Sequence, residues 1–124
     1  MTIEVYGLDT CSTCDKARKW LDRFGVAHRF VDYRAQRVPA DTLRAWAAAV
    51  GGFDKLVNRS GMTWRNLAPA RKDPRSEAEW TLLIKEYPAL VRRPVVVAAD
   101  GAISLGFSDA LFKRLFPPAS ARKA

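Results

Sequence analysis

An α/β fold, with an N-terminal β-α-β unit and a C-terminal β-β-α unit flanking a helical insertion, is predicted by three observations in the 124-residue sequence. The apolar stretch Ile3-Glu4-Val5-Tyr6-Gly7 is followed closely by a run whose less polar side chains recur at helical spacing, and then by a second β-rich stretch. The middle of the chain carries apolar residues three and four apart between glycine and proline breaks. Near the C-terminus, two short β-branched runs bracket Asp100-Gly101.

Ile3 to Gly7 reads as a strand, and Leu8-Asp9-Thr10 as a turn. Cys14, Ala17, Trp20, Leu21 and Phe24 fall on one face of a helix that Gly25 ends, because glycine tolerates the left-handed backbone of a helix C-terminus. His28 to Tyr33 reads as the second strand, at about the minimum length for a right-handed crossover. Pro39 opens the next helix, with Asp41 in its first turn, Leu43, Trp46, Ala47 and Val50 on its buried face and Gly51-Gly52 as its stop. Phe53 to Val57 adds a helical turn, and Asn58 to Trp64 has the glycine and hydroxyl content of a loop. Trp80, Leu83, Ile84 and Tyr87 mark an amphipathic helix that ends before Pro88. Val95-Val96-Val97 and Ile103-Ser104-Leu105 form a hairpin around Asp100-Gly101, which supplies positive φ, and a last helix spans about Ser108 to Leu115. One domain over residues 1–116 and a loose basic tail over 117–124 follow from this reading.

With 48% hydrophobic and 27% charged residues, the composition is that of a soluble globular domain. No stretch approaches the roughly 18 apolar residues of a membrane span, and the start of the chain lacks a secretory pattern, so a cytoplasmic monomer without membrane contact is expected. The net charge of +8 is spread along the chain and forms no nucleic-acid motif, which favours solvated charge with a local anion site.

Cys11 and Cys14 are the only cysteines, spaced Cys11-Ser12-Thr13-Cys14 at the start of the first helix. A structural disulfide is disfavoured in the cytosol, where so short a loop also removes little unfolded-state entropy. Zinc needs about four ligands and His28 is the sole histidine, so no metal is expected. Redox chemistry remains. Helical phase turns Cys14 to the core and leaves Cys11 before the first full turn, where free N–H groups and the helix dipole favour a thiolate. A thiol of ordinary pKa, about 8.5, needs such help at neutral pH. The N–H groups of Ser12, Thr13 and Cys14 also make a cradle for a bound oxyanion. The order of elements with these cysteines is that of a thioredoxin-like fold, in which Pro94 stands where a cis-proline faces the reactive cysteine.

The sequence resembles the arsenate reductase-like (ArsC/Spx) family, most closely its YffB-type members, from Ile3 to about Phe116. The resemblance rests on Tyr6-Gly7 before Cys11, Lys16-Ala17-Arg18-Lys19-Trp20-Leu21 after it, Asp32-Tyr33-Arg34, Asn58-Arg59-Ser60-Gly61, Thr63-Trp64-Arg65, Pro88-Ala89-Leu90, Arg92-Arg93-Pro94 and Gly106-Phe107-Ser108-Asp109. It implies Cys11 as nucleophile, Arg93 and Arg59 around it, and glutathione or another small thiol as co-substrate with no bound cofactor. Guanidinium groups suit the carboxylates of glutathione or an oxyanion equally. Arsenate-reducing members bring a third arginine where Gly106-Phe107-Ser108 stands here, and many carry a single cysteine. The sequence therefore favours a reductase of a disulfide or small oxyanion, with Cys14 resolving the intermediate. The alternatives are arsenate reductase, a Spx-like redox-sensitive regulator that binds RNA polymerase, and a binding domain without turnover. In plainer readings the thiols are inert small hydrophobes and the arginines are solvated. Trp64 is read as packing, Trp46 and Trp80 as core, His28 as structural or surface, and Asp32 as a strand-end cap.

Overall fold

The computed structural model describes residues 3–117. Its elements run β1 (Ile3–Gly7), α1 (Ser12–Arg23), β2 (His28–Asp32), α2 (Ala40–Val50), α3 (Phe53–Leu56), α4 (Met62–Arg65), α5 (Glu77–Glu86), β3 (Val95–Val97), β4 (Ile103–Leu105) and α6 (Asp109–Leu115). Short 3-10 turns lie at Pro69–Lys72 and Pro88–Leu90.

The four strands form one sheet in the order β2-β1-β3-β4. β1 and β2 are parallel, Ile3 opposite His28 and Gly7 opposite Asp32, as a helical crossover requires. β3 runs antiparallel to both β1 and β4. This joins the β-α-β and β-β-α halves in a thioredoxin-like fold.

Because side chains alternate across a strand, the sheet separates two cores. Val5 and Val96 pack with Ala17, Trp20 and Leu21 of α1 and with Phe112 and Phe116 around α6. Their neighbours Tyr6 and Val95 face the other way, onto Leu43, Trp46, Leu56, Trp64, Leu83 and Ile84 of the insertion. The inserted helices therefore cover the face opposite α1.

The ends of elements depart most from the expected pattern. Phe24 and Tyr87 continue the apolar spacing of their helices, yet both are C-caps and largely exposed. The helix stops there, so the spacing no longer points inward. Phe24 instead lies against Trp20, ring centroids 4.5 Å apart. Val50 is only partly buried, and Pro39 is the extended N-cap of α2 rather than its first helical residue. The stretch from Asn58 to Trp64 is not all loop, since Met62 begins α4. Trp80 is half-buried, stacked on both Phe53 and Trp64 at 5.9 and 6.0 Å. In the hairpin only Gly101 has positive φ, +89°; Asp100 instead accepts a hydrogen bond from the Ala102 N–H. The loose tail expected from residue 117 lies outside the described residues, apart from Pro117 itself.

Candidate active site

β1 ends at Gly7, and the chain turns through Leu8, Asp9 and Thr10 before Cys11. Cys11 is the extended N-cap of α1, its N–H bonded to the Leu8 carbonyl at 3.2 Å and its carbonyl accepting from Asp15 N–H at 3.0 Å. Cys14, one turn on, is buried against the end of β1. A Cβ at Gly7 would overlap the Cys14 sulfur, so the missing side chain of Gly7 makes room for that thiol. Cys11 remains partly exposed.

The two thiols have opposite electrostatics. Burial pushes the Cys11 thiol up, but the Cys14 N–H, the Cys14 thiol, the Arg93 guanidinium and the Thr13 N–H together outweigh it and hold Cys11 below the ordinary thiol range. Cys14 is pushed up to about 11, chiefly by burial; the Leu8 backbone opposes this, the neighbouring Cys11 sulfur adds to it, and the Arg93 charge offsets a little of it. A thiolate accepting from helix N–H groups and a cation is the anion that a helix N-terminus stabilises.

Arg93 reaches Cys11 from the turn that precedes β3. The Arg93–Pro94 peptide bond is cis, and Tyr6 opposite Val95 in the register brings this turn beside the cysteine loop. One guanidinium nitrogen of Arg93 donates to the Ala89 carbonyl at 2.7 Å and lies 3.4 Å from the Tyr33 hydroxyl. Tyr33 is buried and donates in turn to the Val91 carbonyl at 2.8 Å. Burial pushes the Tyr33 phenol up to about 12, so it stays protonated.

Cys11, Thr13 and Arg93 line an open cavity of about 590 Å³ together with Lys55, Asn58 and Arg92. Pro94 is buried, and its carbonyl accepts from the N–H of the cavity-lining Gly106 at 2.9 Å. Ser12 is exposed and lies off the cavity wall. Arg59 is also off the wall: its guanidinium sits over the Trp64 ring, 5.6 Å from the centroid, with Trp64 itself buried as packing. Asp32 accepts from the N–H groups of Asp9, Arg34 and Ala35, which makes it a turn cap. His28 bonds the Val26 carbonyl at 2.9 Å, away from the cavity. Among the described residues no group of three or more acidic, histidine or cysteine side chains could hold a metal ion. None of their helices is long and apolar enough to cross a membrane.

In the segment Gly106-Phe107-Ser108, Gly106 touches the cavity without a side chain. Phe107 packs on Phe112 at 4.7 Å, and Ser108 caps α6 by accepting from the Leu111 N–H. That segment supplies no cation. Lys55, Arg92 and Tyr33 belong to the site without being marked as site residues by the sequence. The pairing of Arg92 with Arg93 was the available signal, whereas Lys55 is carried to the site only by tertiary pairing. Chemically, the arrangement offers a stabilised sulfur nucleophile, a buried second thiol behind it and a cationic cavity in front of it.

The ArsC family model matches residues 6–115. The chain is similar to the solved structure of a protein called YFFB, 35% identical with a TM-score of 0.81, covering 91% of this chain and 97% of that one. It is similar also to an arsenate reductase (ArsC) related protein from Brucella melitensis, 32% identical with a TM-score of 0.73 over 94% of this chain and 96% of that one. The Global transcriptional regulator Spx of Streptococcus pneumoniae is 27% identical over 117 residues, 92% of this chain and 84% of that protein. By sequence and by fold, the chain belongs to the ArsC family.

Proposed function

We propose that the protein is a glutathione-linked thiol reductase in which Cys11 is the nucleophile and Cys14 the resolving thiol. The observation that carries this reading is the asymmetry of the pair: Cys11 is held toward its thiolate beside an open cavity, while Cys14 is buried and held toward its thiol. In the proposed cycle the Cys11 thiolate attacks one sulfur of a substrate disulfide, and the departing sulfur leaves with the bonding pair and takes up a proton. Once Cys11 is in a mixed disulfide it bears no charge, which removes one of the influences that hold the Cys14 proton. Cys14 then loses that proton and attacks the Cys11 sulfur, releasing the second substrate thiol and leaving a Cys11–Cys14 disulfide. Two glutathione thiolates reduce it in succession and leave as glutathione disulfide. The absence of a cation from Gly106-Phe107-Ser108 favours a disulfide over arsenate as substrate. The setting proposed is a cytoplasmic monomer of one domain over residues 1–116.

Similarity to Spx supports a second reading, a redox-sensitive transcription regulator acting through RNA polymerase, with the same thiol pair as its switch. Mass spectrometry after exposure to oxidised glutathione separates the two. The reductase reading expects a Cys11 adduct that accumulates in Cys14→Ser but is cleared in the intact protein, with turnover lost in Cys11→Ser. An unshifted Cys11 with no turnover of disulfide or arsenate would sink it. Co-purification with RNA polymerase alongside that result would favour the regulator.

A further inference from the structure

Three cations face the cavity, and only Arg93 is engaged with the thiol. Lys55 and Arg92 are exposed and line the same cavity. Several carboxylates elsewhere pair with cations: Asp15 with Lys19, Glu4 with Arg29, Asp41 and Glu77 with Arg44, Glu86 with Arg71, Asp73 with Arg75, Asp109 with Lys113. Among the described residues no ion pair includes Lys55 or Arg92. The one anion of the wall, Asp54, turns back over Gly52 at the start of α3.

The wall is nevertheless built. Val57 and Val91 form a two-residue bridge, the Asn58 N–H donates to Leu90 and the Arg92 N–H to Leu56, so α3 is stitched to the segment that carries Arg93. The Arg92 Nε–H donates to the Lys55 carbonyl at 3.0 Å, which anchors the stem of the side chain and leaves its terminal nitrogens for a ligand. Lys55 and Arg92, held together in the cavity that Cys11 also lines, are placed to receive an anion that arrives with the reacting thiol. A guanidinium and an ammonium side by side suit a carboxylate, through paired hydrogen bonds from the first and a point charge from the second.

We propose that Lys55 and Arg92 form a carboxylate subsite, so that the protein selects peptide thiols and their disulfides by a carboxylate remote from the sulfur and disfavours neutral thiols of equal reactivity. The proposal rests on the reductase reading and adds to it the groups that choose the co-substrate. The reaction itself is unchanged: a Cys11–S bond forms, the S–S bond of the incoming disulfide breaks, and the departing thiolate carries off the electron pair.

The test uses the Cys14→Ser chain, in which the adduct on Cys11 accumulates, and compares its rate of formation from three probes: oxidised glutathione, its fully esterified form and bis(2-hydroxyethyl) disulfide. Oxidised glutathione should react fastest, and the advantage should shrink as salt is added. Adding Lys55→Gln or Arg92→Gln should each remove about fivefold of that advantage, the upper end of what an exposed ion pair contributes. The hydroxyethyl probe should react at the same rate in all three proteins. Lys85→Gln, a matched loss of charge on α5, should leave the advantage intact. Equal rates for acid and ester, or an advantage that survives both substitutions, would overturn the subsite while leaving the reductase reading standing. No adduct from any probe would overturn both.

Discussion

Arg93 stands between two oxygens that hold it and one sulfur that it serves. The Ala89 carbonyl accepts from it at 2.7 Å, and the Tyr33 hydroxyl, which spends its own proton on Val91, lies 3.4 Å away as a second acceptor. Tyr33 therefore acts on Cys11 through Arg93, as a positioning residue. Tyr33→Phe should raise the midpoint of Cys11 alkylation against pH by up to about one unit, equivalent to about 1.4 kcal/mol. It should also cost about 1–2 kcal/mol of stability, because the buried Val91 carbonyl loses its donor. The midpoint is the discriminating readout: if it stays put in a folded variant, the Ala89 carbonyl alone orients Arg93. The same charges couple stability to pH. A thiol whose folded pKa is lowered stabilises the fold above its unfolded pKa, and that contribution is lost as pH falls through the lowered value. Cys14 runs in the opposite sense, its contribution being lost as pH rises toward about 11. The gap in urea stability between the reduced protein and Cys11→Ser should thus widen as pH rises from about 6 to 8.5, and a gap that narrows would contradict the assignment. At this scale the sequence was legible for the nucleophile and opaque for its support. Cys11 and Cys14 declare themselves by spacing, whereas Tyr33 meets its partners 58 and 60 residues along the chain.

The junction of β1 with α1 is where two elements depend on one absent side chain. Gly7 ends the strand with ordinary backbone angles, so its requirement is space and not φ. Gly7→Ala would drive a methyl into the Cys14 sulfur, and overpacking of this kind costs about 1–3 kcal/mol. Cys14→Ala removes the obstructing atom, so the double variant should recover most of the stability lost by Gly7→Ala. Thermal melts of the four proteins measure the coupling; a double variant as unstable as the sum of the singles would show that the strain lies elsewhere. Element boundaries show the same division between local and tertiary signals. Gly25 and Gly51 stop their helices with φ of +66° and +100°, a requirement visible in the residue type. Helix α4 is a single turn and gives no periodicity, so the sequence of Asn58 to Trp64 carries only the composition of a loop. The pairing of Val57 with Val91, which closes the cationic wall, joins segments too short to look like strands.

The two faces of the sheet divide the molecule into a supporting core and a functional one. Phe112 is fully buried at the centre of the first, with Trp20, Phe107 and Phe116 around it at centroid distances of 5.4, 4.7 and 5.5 Å. Leu56, equally buried, belongs to the second, follows the cavity-lining Lys55 in α3, and its carbonyl holds the Arg92 N–H. Truncating either to alanine creates a void costing about 3–5 kcal/mol for phenylalanine and about 2–5 kcal/mol for leucine, a large part of the 5–15 kcal/mol that holds a domain folded. Their consequences for the site should differ. Trp20 is nine residues along α1 from Cys11, about 13 Å at helical rise, and the helix between them is continuous. Loss of Phe112 should accordingly lower the urea midpoint while leaving the Cys11 alkylation midpoint of the folded protein unchanged. Leu56→Ala loosens α3 at the residue next to Lys55, so at comparable destabilisation it should also reduce the preference for oxidised glutathione over its ester. Paired urea melts and adduct rates on the two variants decide the matter. If Phe112→Ala erodes that preference as much as Leu56→Ala does, the sheet transmits disorder between its faces and the division into two cores has no functional meaning.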